Sequence, residues 1–283
     1  MRQDVIDLYD AFTHGRMGRR AFMERMTVLT GSAAAALAAV KLLQPDPAAA
    51  AMIAENDPRL AIDTVNISGG PNAYWAKPAG GGSSLPGVVV IHENRGLNAH
   101  IQDVTRRAAV EGFSALAPDL LTEAGGTPSD PDKARDMIGA LTPAQTVEEA
   151  RSAISWLRAQ PDGNGKVGII GFCWGGGVVG LVAEAEPTLD AAVIFYGPTP
   201  PLDQVANIRA PLLLHYAGLD ERVDAGVPGF RKALDAVGVK YELHMYEGVN
   251  HAFHNDTSAE RYSPEAAKLA WQRSIEFFKH HLI

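Results

Sequence analysis

The stretch Gly171-Phe172-Cys173-Trp174-Gly175-Gly176-Gly177 constrains this chain more than any other. It follows Val167-Gly168-Ile169-Ile170, a short apolar run of the kind buried on both faces of a parallel sheet. A helical pattern starts at Trp174. A buried strand that turns straight into a helix needs small residues around the turn, because a Cβ there would strike neighbouring backbone. The spacing therefore predicts a sharp strand–turn–helix corner with the Cys173 side chain at its apex.

From about residue 57 the chain repeats that alternation. Residues 62–67 and 73–77 read as a hairpin around Gly69-Gly70-Pro71-Asn72. Residues 88–91, 114–117, 167–170, 191–196, 212–216 and 241–246 read as further strands. Residues 101–111, 131–141, 147–159, a segment from Trp174, and 264–281 read as helices. Strands alternating with helices imply right-handed crossovers and parallel pairing. The expectation is an α/β fold with about eight strands, mostly parallel, and helices on both faces.

Residues 1–55 form an N-terminal extension to a main domain over 56–283. Val5, Leu8 and Phe12 fall at helical spacing, as do Phe22, Met26 and Leu29. Gln44-Pro45-Asp46-Pro47 ends any helix. Gly18-Arg19-Arg20-Ala21-Phe22-Met23 is similar to a twin-arginine export signal, with small residues at 48–51 for cleavage, which implies a periplasmic protein. The acidic Asp4, Asp7 and Asp10 before the arginines suit the other reading, a helical arm packed on the main domain of a cytoplasmic protein or on a second copy in a homodimer.

Composition narrows the function. A net charge of −8 opposes nucleic-acid binding. Cys173 is the one cysteine, which excludes a disulfide framework and a multi-cysteine metal site within one chain. No run of 18 strongly apolar residues suggests a membrane span. Of the nine histidines, His251 and His254 are three apart in a loop, weak grounds for a metal. No metal or organic cofactor is expected, and the partner is a small molecule.

Cys173 carries the chemistry. At a helix N-terminus the dipole favours its thiolate, and the backbone N–H of Trp174 is placed to meet an oxyanion. A nucleophile elbow of this type is followed in chain order by an acid and a histidine. Asp220 comes just after the strand at 212–216, and His251 just after the strand at 241–246. Both thus lie at the strand ends where open α/β sheets bind ligands. Glu221 and Asp224 are alternative acids, and His254 is an alternative base.

On Gly171-Phe172-Cys173-Trp174-Gly175-Gly176, Gly218-Leu219-Asp220 and Asn250-His251-Ala252-Phe253, the chain resembles the dienelactone hydrolase family of α/β-hydrolases over roughly residues 57–283. The resemblance implies hydrolysis of lactones and esters without a cofactor. It also matches His92-Glu93-Asn94-Arg95-Gly96-Leu97-Asn98 to the family's first active-site loop. There Glu93 stands for a glutamate that holds the resting thiol, and the Asn94 amide stands for a second oxyanion donor. Family members acting on dienelactone itself hold the substrate carboxylate with two arginines, one of them three residues after the catalytic histidine. His254 occupies that position, and Arg95 either reads substrate charge in its stead or pairs with an acid. Trp174 is a pocket wall. The expected activity is cleavage of a carboxylic ester or lactone through a thioester on Cys173. The rival is a non-catalytic relative whose cysteine senses oxidation.

Overall fold

A computed structural model describes residues 1–46, 51–81 and 84–283. Three helices open the chain: α1 (Gln3–Thr13), α2 (Arg19–Thr30) and α3 (Ala33–Leu43). Two strands follow, β1 (Leu60–Asn66) and β2 (Asn72–Pro78). Then come β3 (Leu85–Ile91), α4 (Ala99–Val110), β4 (Ser114–Pro118), α5 (Pro131–Gly139), α6 (Pro143–Arg158), β5 (Gly163–Phe172) and α7 (Trp174–Ala185). The chain closes with β6 (Ala191–Phe195), β7 (Leu212–Ala217), α8 (Glu221–Asp224), α9 (Val227–Val237), β8 (Tyr241–Tyr246) and α10 (Pro264–Leu282).

The strands form one sheet in the order β1-β2-β4-β3-β5-β6-β7-β8. β1 and β2 run antiparallel, β2 is antiparallel to β4, and every pair from β4 to β8 is parallel. This is the α/β-hydrolase architecture. The central strands are buried along nearly their whole length, and apolar clusters fill both faces of the sheet. That double burial is why they read as unbroken apolar runs rather than alternating ones. Helix α9 escaped the sequence reading. Pro228 in its first turn and the left-handed Gly238 that caps its end are the signals that mark it.

The three N-terminal helices have an apolar cluster of their own, separate from those flanking the sheet. Phe12 stacks on Phe22 with ring centres 4.2 Å apart, and Met26, Ala36 and Leu43 close the cluster. Gly31, left-handed at φ +83°, ends α2, and the Ser32 hydroxyl caps α3 by accepting from the Ala35 N–H at 3.1 Å. The two arginines of the export-like motif serve as ion-pair partners: Arg19 bonds Asp132 at 2.5 Å and Arg20 bonds Glu24 at 3.0 Å. Among the described residues no single helix is long and apolar enough to cross a membrane, and α2 and α3 meet at a bend of 107°. Most of the alanine cluster read as a cleavage site, residues 48–50, lies outside the described residues.

Candidate active site

The corner after β5 takes the shape that its glycines allow. Cys173 sits at φ 56° and ψ −120°, a strained backbone for a residue with a side chain. Its N–H is held by the Phe195 carbonyl at 3.0 Å. A Cβ on Gly171 would lie 2.3 Å from the Gly175 carbonyl oxygen, and one on Gly175 would lie 2.3 Å from the His92 carbonyl oxygen. No other residue fits either position, so the glycines are what let α7 start directly over the strand.

Asp220 and His251 meet beside this corner. Asp220 follows β7 and caps α8, its Oδ1 accepting from the Val223 N–H at 3.2 Å. His251, in the turn after β8, donates from Nδ1 to Asp220 Oδ2 at 2.5 Å. Burial would push the Asp220 carboxyl up, but the His251 charge and hydrogen bond hold it down at about 2. Burial would push His251 down, but the charges of Cys173 and Asp220 outweigh it and raise the imidazole to about 10. His251 is 1% exposed, and its Nε2 has no hydrogen-bond partner among the described residues. With Nδ1 taken by Asp220, Nε2 is the nitrogen left to face the thiol. Asp224, the alternative acid, is instead pushed up to about 6 by burial and by the neighbouring Asp220.

The thiol's hydrogen bond goes to a residue that the sequence reading did not single out. His14, in the turn that ends α1, places Nε2 3.2 Å from Cys173 Sγ. Its Nδ1 lies 2.7 Å from the Asp10 carbonyl oxygen, so Nδ1 carries the proton and Nε2 is the acceptor. Burial, with the cations His251 and Arg222 nearby, holds His14 well below its usual value. It is therefore neutral, with the lone pair of Nε2 turned to the Cys173 sulfur. The His14 and His251 rings meet edge to face at 4.7 Å.

The remaining sequence candidates divide. Asn94 is at the site, and its side-chain amide donates to the Thr13 carbonyl of α1 at 3.0 Å. Glu93 is buried there too, but it accepts from Asn255 Nδ2 at 2.6 Å, and His14 holds the thiol in place of the expected glutamate. Arg95 lines the cavity while bonding the Pro131 carbonyl at 2.5 Å and Asp132 at 3.2 Å, which is the acid-paired alternative. Trp174 stacks on His92 with ring centres 5.5 Å apart. His254 lines neither of the two cavities here. It is packed behind the corner against Phe172, Phe195 and Trp271, where burial holds it neutral, so it does not stand where a substrate-binding residue would. Arg261 was missed. It lines the cavity, covers Tyr9, and pairs with Asp10 at 3.3 Å.

The cavity over Cys173 is about 20 Å³ and is walled by Tyr9, Thr13 and His14 from the arm. That is room for one water. A second cavity of about 750 Å³ adjoins it, sharing Pro45 and Arg95 and lined also by Leu97, Asn98 and Arg106.

Comparison with known proteins covers both parts of the chain. The model of the dienelactone hydrolase family matches residues 72–282, and a YqhI-like model matches residues 1–29. Over 224 residues the chain is 34% identical to a provisionally named carboxymethylenebutenolidase of Escherichia coli O157:H7, covering 74% of this chain and 82% of the relative. Over 242 residues it is 32% identical to a Bradyrhizobium protein provisionally named 2-oxo-3-(5-oxofuran-2-ylidene)propanoate lactonase, covering 79% and 96%. A crystal structure from Klebsiella pneumoniae, provisionally described as a dienelactone hydrolase, matches with a TM-score of 0.71 at 30% identity, covering 78% of this chain and 98% of its own.

Proposed function

The chain belongs to the dienelactone hydrolase family, and from that premise we propose that it cleaves carboxylic esters or lactones through a thioester on Cys173. The family supports ester and lactone hydrolysis, and the relatives named as a carboxymethylenebutenolidase and a lactonase agree with it. The same reading divides the chain into an extension up to about residue 55 and a catalytic domain from residue 56.

In this mechanism the Cys173 sulfur attacks the carbonyl carbon as a thiolate, its proton held on His251 as an ion pair. The oxyanion is met by the backbone amides of Asn94 and Trp174. Collapse expels the alkoxide, which takes its proton from His251, and leaves the acyl group on sulfur. Water, deprotonated by His251, then attacks the thioester, releasing the acid and restoring the thiol. Asp220 holds the imidazole in the tautomer that both steps need.

A 20 Å³ cavity admits no ester, so α1 must withdraw before turnover. Three arm groups stand where substrate groups would: His14 on the thiol, the Thr13 carbonyl on Asn94, and the Asp10 carboxylate on Arg261. Once they leave, Arg261 is an unmatched guanidinium beside the nucleophile. It then favours substrates that carry a carboxylate. The larger cavity next door receives the rest of the molecule.

The observation that carries the reading is the meeting of Cys173, His251 and Asp220 at three separate strand ends, with His251 Nδ1 tied to the acid. The test is turnover of aryl esters and small lactones with Cys173→Ala as blank. Loss of turnover is expected, and wild-type rates in that variant would overturn the assignment.

A further inference from the structure

His14, Cys173 and His251 make up more than a hydrolytic site. One ring nitrogen from each histidine and the Cys173 sulfur all lie within 4.8 Å of one another. Both imidazoles are oriented from behind: His251 Nδ1 by the Asp220 carboxylate at 2.5 Å, and His14 Nδ1 by the Asp10 carbonyl at 2.7 Å. Metal-ligating histidines are held in this way, their second nitrogen donating to a carboxylate or carbonyl. The buried His251 Nε2 has no partner among the described residues. Thiolate with two imidazoles is a donor set that suits Zn²⁺ bound by three protein ligands with a fourth position open.

We propose that His14, Cys173 and His251 bind a soft divalent cation, Zn²⁺ foremost, and that the bound ion clamps the N-terminal arm shut over the site. Tetrahedral Zn²⁺ sets its ligand atoms about 3.3–3.5 Å apart, given bonds of roughly 2.0 Å to nitrogen and 2.3 Å to sulfur. The His14–Cys173 separation of 3.2 Å is already close to that. Any longer edge of the triangle closes by at most about 1.5 Å, within the reach of side-chain adjustment. The 20 Å³ cavity lined by the same three residues takes the one water that completes the coordination. The thiol gives up its proton to solvent on binding, and any proton on His251 leaves as well, so affinity rises with pH.

The consequence follows from where the ligands come from. Cys173 and His251 belong to strand ends of the sheet, and His14 belongs to the arm. One ion therefore joins the two parts of the molecule. On the reading of Cys173 as nucleophile and His251 as base, the ion also occupies both and stops hydrolysis. It is an inhibitor and a latch rather than a cofactor.

The test is direct binding to the full-length metal-free protein. Zn²⁺ is titrated in competition with a chromophoric chelator, and Co²⁺ serves as a spectroscopic probe. One ion per chain is expected, with a thiolate-to-cobalt charge-transfer band and the visible bands of a tetrahedral site. His14→Ala removes a ligand and should weaken binding by at least about 100-fold, the upper end of what losing a ligand's outer partner costs. His281→Gln, far from the site, should change nothing. If His14→Ala itself unseats the arm, the wild type decides the matter. Zn²⁺ should slow tryptic cleavage at Arg16, Arg19, Arg20 and Arg25 at least about tenfold, and should not do so in Cys173→Ala. Absence of the cobalt–thiolate band, or equal affinity in wild type and His14→Ala with no protection of the arm, overturns the proposal. The hydrolase reading is judged separately. If Zn²⁺ fails to bind while Cys173→Ala abolishes turnover, the metal site falls and the nucleophile stands. If Zn²⁺ binds through His14 and turnover continues unchanged, the metal site stands and the nucleophile falls.

Discussion

The arm and the sheet that it covers hold themselves together by the same means but hold each other by different ones. Each has an apolar core: the sheet has clusters on both faces, and the arm has the smaller cluster around Phe12, Phe22 and Met26. Across the boundary between them, among the described residues, polar contacts join the two. They run from Gln3 to Asn250, from Asp10 to Arg261, from His14 to Cys173, from Thr13 to Asn94 and from Arg19 to Asp132. Apolar burial is non-directional, whereas hydrogen bonds and ion pairs respond to the protonation of their partners. On the withdrawal proposed above, the sheet persists and the arm stays folded while its seat on the site is reversible. The lesson is about function: the strained Cys173 corner belongs to the persistent part, and access to it belongs to the reversible part.

The largest expected effects separate residues of the sheet from residues of the arm. Cys173→Ala should abolish ester turnover, and His251→Ala and Asp220→Asn should each lower kcat by about 10³-fold or more, as in other nucleophile–histidine–acid sites. His14→Ala touches the same sulfur but comes from the arm, and turnover should hold or rise severalfold because the mouth opens. Steady-state kinetics on one aryl ester checks all four. A collapse of kcat in His14→Ala equal to that in His251→Ala would erase the distinction between the two regions.

Loosening the arm from within should be smaller but more telling. Phe22 is fully buried in the arm cluster, and Phe22→Ala should cost about 3–5 kcal/mol of local stability. Hydrogen exchange should rise across α1–α3 and stay unchanged in β3–β7. Exchange that rises equally in the sheet would mean that the two cores unfold as one unit.

Acid should release the arm to a lesser extent. Docked His14 lies well below its ordinary value of 6.5, by burial and by the neighbouring cations His251 and Arg222. The released arm therefore binds a proton that the docked arm does not, and docking weakens as pH falls through about 6.5. Asp10 works the other way. Burial raises its carboxyl on docking, so its protonation favours the docked arm as pH falls, and the His14→Gln reference removes that contribution. Alkylation of Cys173 by a neutral reagent, normalised to His14→Gln, should gain as pH drops from 7.5 to 5.5. A flat ratio would show that His14 does not govern the seat of the arm.

The sheet and its corner were legible because their physics is local in sequence. Glycines at 171 and 175 and apolar runs at 88–91 and 167–170 announce a buried strand turned sharply into a helix. Asp220 and His251 were readable because strand ends place them whatever the loops do. His14 was not readable: 159 residues separate it from Cys173, and nothing in α1 marks the end that points inward. Arg261 was hidden for a related reason, since its partner Asp10 comes from the arm. The surroundings of Arg95 and His254 were not readable, because position in a motif says nothing of packing: Asp132 pairs with one, and the aromatic wall of Phe172, Phe195 and Trp271 encloses the other.

The central claim is that the Cys173 sulfur carries the acyl group. Rapid acid quench of the enzyme during turnover of an activated aryl ester, followed by mass spectrometry of the peptide that contains residue 173, tests it in one step. The account predicts a transient mass increase of one acyl group on Cys173, absent in Cys173→Ala and longer-lived in His251→Ala, where water has no base to activate it. Turnover with the acyl group on another residue, or with no adduct at any quench time in either wild type or His251→Ala, would contradict it.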